Sequence, residues 1–149
     1  MRLVPVKESN GFVMDPNDAI QCVDENTIGI IAIFGSTYTG HFEDVALMSK
    51  LRESLPIQDT ASALTLRIVD DLQQRTGLDI PIHVDGASGA FIAPFAYPQL
   101  KWDFKVPRVV SINTSGHKFG LTYAGLGWVL WRDESYLHKD LVFELREFF

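Results

Sequence analysis

A layered α/β fold with a mostly parallel sheet is what this sequence predicts, and three observations carry the prediction. Two short apolar runs rich in branched and aromatic residues, Ile28 to Phe34 and Ala124 to Trp131, read as buried strands. A segment with helical spacing separates them, with Ala61, Leu64, Ile68, Val69 and Leu72 on one face and Arg67, Asp70, Asp71, Gln74 and Arg75 on the other. The order strand, helix, strand, connection, strand belongs to sheets whose parallel strands are joined by crossovers.

The elements follow in order. Asp15-Pro16-Asn17-Asp18 starts a helix, with Asp15 as cap, Pro16 at the first helical position and Asp18 placing negative charge in the first turn. Ala19, Ile20 and Val23 give it an apolar face. A strand from Thr27 to Phe34 comes next, then a polar turn over Gly35 to Gly40 and a short helix around Val45 to Arg52 that Pro56 breaks. The helix over 61–75 ends at Gly77, where a left-handed residue belongs. Ile80 to Val84 is a strand ending in Asp85, and Pro107 to Thr114 is another, broken by Ser115 to Gly120. Gly125 to Arg132 is a last strand, and Asp133 caps a helix running to Phe143. No repeat, linker or domain boundary interrupts the series.

Composition narrows the function. Lys and Arg number 13 against 19 Asp and Glu, a net charge of −6, and no basic stripe marks a nucleic-acid surface. No apolar run is long enough to span a bilayer, and the start, MRLVPVKESNGFVMD, lacks the apolar core of a secretory leader. Cys22 is the single cysteine, which makes a reducing, cytoplasmic compartment the expectation. The four histidines, His41, His83, His117 and His138, lack metal-ligand spacing, so no metal is expected. Gly86-Ala87-Ser88-Gly89-Ala90 falls short of a nucleophile elbow because Ala90 stands where that turn needs glycine. No phosphate-binding glycine loop or dinucleotide fingerprint is present. Trp102, Phe104, Trp128 and Trp131 read as core or interface packing.

In parallel sheets, ligands bind at the carboxyl ends of the strands. Three polar clusters fall at those ends: Thr37, Asp85 with Ser88, and Ser115 with His117 and Lys118. Asp85 is either a cap or turn residue or an anion facing a ligand. The small residues at 86–90 let a flat ligand approach the backbone. Lys118 is either a solvated surface charge or a lysine held in a cleft, where a lowered pKa would free its amine to attack a carbonyl.

At Ser115-Gly116-His117-Lys118-Phe119-Gly120 the sequence resembles the lysine motif of the pyridoxal-phosphate-dependent amino-acid decarboxylases, and within that group the glutamate decarboxylases. The resemblance extends over Asp24 to Gly29, Phe34 to Gly40, His83 to Phe95 (HVDGASGAFIAPF) and Trp102 to Arg132 (WDFKVPRVVSINTSGHKFGLTYAGLGWVLWR). It implies the central part of a large domain of the aspartate-aminotransferase type, with a mostly parallel sheet flanked by helices and an antiparallel strand after Lys118. It also implies pyridoxal 5'-phosphate as cofactor and conversion of L-glutamate to 4-aminobutanoate and carbon dioxide. Lys118 would form the Schiff-base link, and Asp85 would keep the pyridine nitrogen protonated. Ala87 would lie against one ring face, Thr37 would sit beside the cofactor, and Ser115 with His117 would hold its phosphate.

The departures from the family carry expectations of their own. Gly86 stands where members usually have Ala, and Ala90 where they have a second Gly. Glu43 to Thr60 looks longer than the usual connection, as a surface insertion would. The family pattern ends after about Phe143. Residues 1–149 would form a partial cofactor domain, with the family's N-terminal part, carboxy-terminal small domain and much of its dimer interface outside them. The chain alone is then expected to be inactive. A related pyridoxal-phosphate lyase with another substrate, and a non-catalytic remnant, are the alternatives.

Overall fold

The computed structural model describes residues 1–49, 77 and 79–142. Four strands, β1 (Ile30–Ile33), β2 (Ile82–Asp85), β3 (Val109–Ser115) and β4 (Gly127–Trp131), form one sheet in the order β1-β2-β3-β4. The pairs β1–β2 and β2–β3 are parallel and β3–β4 is antiparallel, so the first three strands end on the same edge. This is the expected topology, including the reversed strand after Lys118. Among the described residues three short α-helices accompany the sheet: α1 (Pro16–Gln21), α2 (Val45–Ser49) and α3 (Ala93–Ala96).

Helix α1 begins as its sequence requires: the Asp15 carboxylate accepts the Asn17 N–H at 2.8 Å and Pro16 occupies the first turn. Gly77 takes a left-handed φ of +73°, as a helix terminator would. The helix expected over 61–75 lies outside the described residues, as do the end of the helix expected over Val45 to Arg52 and the break at Pro56.

The core lies on one face of the sheet. Ala32 on β1, Ile82 and Val84 on β2, and Val109 and Ile112 on β3 pack with Met14 and Ala19 of the first segment, Val45 and Met48 of α2, and Ala93 of α3. Phe34 stacks between Phe42 and Trp102, with ring centroids 4.2 and 4.6 Å away, each contact contributing about 1 kcal/mol beyond its area burial. Arg132 closes the end of the β3–β4 pair, donating to the carbonyls of Phe104, Val106 and Val109.

Three expectations need correction. The runs at β1 and β4 are not fully buried. β1 alternates, with Ile31 and Ile33 outward, and all five residues of β4 are exposed, with neither face covered among the described residues. The aromatic group, read as core or interface packing, divides: Trp102 is core and Phe104 packs against the core, while Trp128 and Trp131 stay 46% and 40% exposed. Residues 43–49, the start of the supposed surface insertion, are core, with Glu43, Val45, Met48 and Ser49 all buried. Last, 133–142 is not one helix but two 3-10 turns, Glu134–Tyr136 and Lys139–Leu141, separated by extended backbone at Leu137 and His138. Asp133 caps the first, accepting the Ser135 N–H, but Tyr136, Leu141 and Val142 stay exposed. A short helix without a packed apolar face lacks its main source of stability.

Glu43 ties the first segment to the sheet. It is only 8% exposed, and its two carboxylate oxygens accept the N–H groups of Met14 (3.3 Å) and Ile33 (2.6 Å). Burial raises its pKa above the ordinary 4.5 and outweighs these two bonds, which lower it. The folded chain therefore holds this proton more tightly than the unfolded chain. Its contribution to stability is full below about pH 4.5 and is lost as pH rises through the folded pKa. Urea unfolding between pH 4 and 7 should show this decline in the wild type and a flatter profile in Glu43→Gln. Glu43→Ala, which leaves both N–H groups without their acceptor, should cost about 2 kcal/mol or more.

Candidate functional site

The carboxyl ends of β1, β2 and β3 are drawn together by backbone contacts that only small residues permit. The Gly89 N–H donates to the Phe34 carbonyl at 2.9 Å, and a Cβ on Gly89 would collide with that carbonyl and the Phe34 ring. Gly35 has a φ of +103°, and a Cβ there would meet Gly89 N at 2.7 Å. The Gly86 N–H donates to the Asn113 carbonyl (3.1 Å) and the Ser115 N–H to the Ala87 carbonyl (3.3 Å). The turn after β2 is thus fastened to β1 on one side and β3 on the other.

Asp85 stands at the end of β2, where its turn role is observed. Its Oδ1 accepts the Ala87 N–H at 3.1 Å, a local turn bond, and also the Asn113 side-chain amide at 3.0 Å. No described hydrogen bond uses Oδ2, so half of the carboxylate is uncommitted at the strand end. Ala87 is next to Ser88, and Ser88 meets Lys118: the lysine Nζ lies 3.4 Å from the Ser88 Oγ. The Lys118 N–H donates to the Ser115 carbonyl at 3.3 Å, which folds the 115–120 turn back over the end of β3. The structure therefore brings Asp85, Ala87, Ser115 and Lys118 together.

Lys118 is exposed, so the expectation of a lysine buried in a cleft does not hold for this chain. Its turn lies at the rim of the sheet, beyond the packed core. His117 is exposed as well, and its Nδ1 lies 2.9 Å from the Leu126 carbonyl, which can only accept. Nδ1 therefore carries a proton and Nε2 is the ring atom left for a ligand. Thr37 lies two residues beyond Gly35, exposed, with no described hydrogen bond to the others.

Three polar residues of this region were missed as site residues: His83, Ser111 and Asn113. They join Asp85 in one hydrogen-bonded row along the sheet. The signal available in the sequence was the alternation His83-x-Asp85 and Ser111-x-Asn113 inside otherwise apolar strands.

A carboxylate oxygen, a floor of small residues and a primary amine at adjoining strand ends suit a flat, cationic heteroaromatic ring bearing a carbonyl. The close backbone packing at 86–89 leaves a low surface on which such a ring can lie, and Asp85 Oδ2 is available for a ring N–H. The residues present fit pyridoxal phosphate.

Comparison with known proteins agrees. The profile described as the pyridoxal-dependent decarboxylase conserved domain matches residues 1–148, beyond Phe143, where the family pattern was expected to end. Glutamate decarboxylase 3 of Arabidopsis thaliana is 49% identical over 146 residues, covering 97% of this chain and 26% of its own length. Glutamate decarboxylase of Aliivibrio fischeri is 47% identical over 145 residues, covering 97% of this chain and 27% of its own. The solved glutamate decarboxylase of Lactobacillus brevis superimposes with a TM-score of 0.76 at 42% identity, covering 94% of this chain and 28% of that one. The chain thus spans about a quarter of the length of the curated relatives it matches.

The floor of the site holds room for one methyl group where two residues could place one. A Cβ on Gly86 would stand 2.7 Å from the Ala90 Cβ and 3.0 Å from the Asn113 carbonyl oxygen. Alanines at both 86 and 90 would therefore compete for one methyl-sized space. Gly86→Ala alone should destabilise the chain by about 1–3 kcal/mol through overpacking. Adding Ala90→Gly should restore a substantial part of that loss. A double-mutant cycle by urea denaturation measures the coupling, which should exceed about 0.5 kcal/mol.

Proposed function

The chain belongs to the pyridoxal-dependent decarboxylase family, and from that premise we propose that it supplies the lysine- and pyridine-binding half of a glutamate decarboxylase site. The observation that carries the reading is the meeting of the Lys118 amine with the turn that starts at Asp85, in a chain about half identical to glutamate decarboxylases. When bound, pyridoxal phosphate supplies a ring that accepts the electron pair left on the substrate's α-carbon as carbon dioxide departs.

This chain's residues have separate tasks. Lys118 would hold the cofactor through Nζ, at the position where the amino group of L-glutamate would take its place. Asp85 would keep a proton on the pyridine nitrogen: Oδ1 is fixed by Ala87 and Asn113, and Oδ2 would accept the ring N–H. The Ala87 methyl would pack against the ring, with Thr37 beside it. Ser115 and the Nε2 edge of His117 would bind the phosphate, the His117 ring being oriented by its bond to Leu126. The product is 4-aminobutanoate. The reading includes a cytoplasmic location, supported by the lone free thiol of Cys22, and an assembly of at least two copies, as the family resemblance implies.

The test is titration of the purified chain with pyridoxal phosphate, followed by borohydride reduction and peptide mass mapping. Reduction should fix the label on Lys118, and Lys118→Ala should abolish it. A label spread equally over other lysines, or unchanged in the variant, would contradict the reading. Without the rest of a relative's length the chain should release no carbon dioxide from glutamate. Grafted in place of the matching segment of the Lactobacillus brevis enzyme, it should support release from glutamate but not from tyrosine.

A further inference from the structure

We infer that His83, acting through Asn113, is a positioning residue that aims the Asp85 carboxylate. The inference rests on the proposed role of Asp85 and adds to it three residues that the cofactor does not touch.

Four side chains on one face of the sheet make a continuous row. Ser111 Oγ lies 2.7 Å from His83 Nδ1, His83 Nε2 lies 2.9 Å from Asn113 Oδ1, and Asn113 Nδ2 lies 3.0 Å from Asp85 Oδ1. The chemistry of the ends sets the direction of every bond. An ionised carboxylate only accepts, so Asn113 must present its NH2 to Asp85 and therefore its carbonyl oxygen to His83. That oxygen only accepts, so His83 Nε2 carries a proton. In the neutral ring Nδ1 then accepts from the Ser111 hydroxyl. Every donor points toward Asp85. Without the His83 donor, the Asn113 carbonyl oxygen loses its partner, and within the row the amide is held only at its Asp85 end.

Register is what lines these residues up. β2 and β3 pair Ile82 with Val109 and then His83 with Ser111, so Val110 is an extra residue on β3. Without that bulge, Val110 would stand opposite His83 and Ile112 opposite Asp85, and no row would form. Ser111 is buried in the strand centre with its hydroxyl engaged by His83, so the row is anchored at its far end.

The test uses the chain itself with two variants. Gln at position 83 can place an amide N–H near the position of the imidazole Nε2, whereas Leu has no donor. Nitrogen-15 spectra of the histidine rings without cofactor, at a pH where they are neutral, should show His83 protonated at Nε2, and Asn113→Leu should remove that preference. Pyridoxal phosphate should bind His83→Leu more weakly by on the order of tenfold, the scale on which outer hydrogen-bond partners act at metal-binding histidines. His83→Gln should bind like the wild type. A merely structural role would lower the melting temperature and leave the affinity of the folded protein unchanged. Protonation at Nδ1, wild-type affinity in His83→Leu, or equal losses in Leu and Gln would each overturn the inference. If the wild-type chain takes up no cofactor on Lys118, the proposed function fails for the isolated chain, and the ring spectra alone still decide the role of His83.

Discussion

The site depends on one close approach: the backbone of Gly89 lies against the Phe34 carbonyl with no room for a side chain between them. That contact fixes the turn after β2 to the end of β1, and bonds from Gly86 and Ser115 fix the same turn to β3. Parallel strands bring their carboxyl ends to one edge, but they do not set the height of the turns above it. The glycine contacts do. They hold Asp85, Ala87 and Ser88 low enough for a lysine from the next turn to reach across to Ser88. On the other side of the contact, Phe34 is held in a three-ring stack with Phe42 and Trp102, so the site stands directly on the core.

Much of this was legible in the sequence because the signals are local. The Asp15-Pro16 start and the strands ending at Asp85 and Ser115 each follow from residues within a few positions of one another. The lysine motif is likewise contiguous. Exposure was not legible. The run Gly127 to Trp131 is apolar enough for a buried strand, yet it forms the edge of the described sheet. Asp133 signals a helix start, but a cap cannot sustain a helix whose apolar face has nothing to pack against.

The polar row through His83 shows a different limit. Its residues come from two strands and meet only because of a bulge at Val110, and a register shift between distant segments leaves no local mark. The coupling of positions 86 and 90 is similar. In the sequence they look like two independent departures, whereas in the structure the positions compete for one methyl-sized space. Both features sit beneath the residues that would touch a cofactor, where a small displacement changes the direction of a carboxylate.

The central claim is that glycine contacts between strand ends, more than the lysine motif alone, assemble the cofactor site. The most direct measurement is borohydride trapping of pyridoxal phosphate on Lys118 in Gly89→Ala, compared with the wild type, with circular dichroism recorded on both. The account predicts that this one methyl abolishes trapping at Lys118, although the motif from Ser115 to Gly120 is untouched. Trapping at the wild-type level in Gly89→Ala would contradict it.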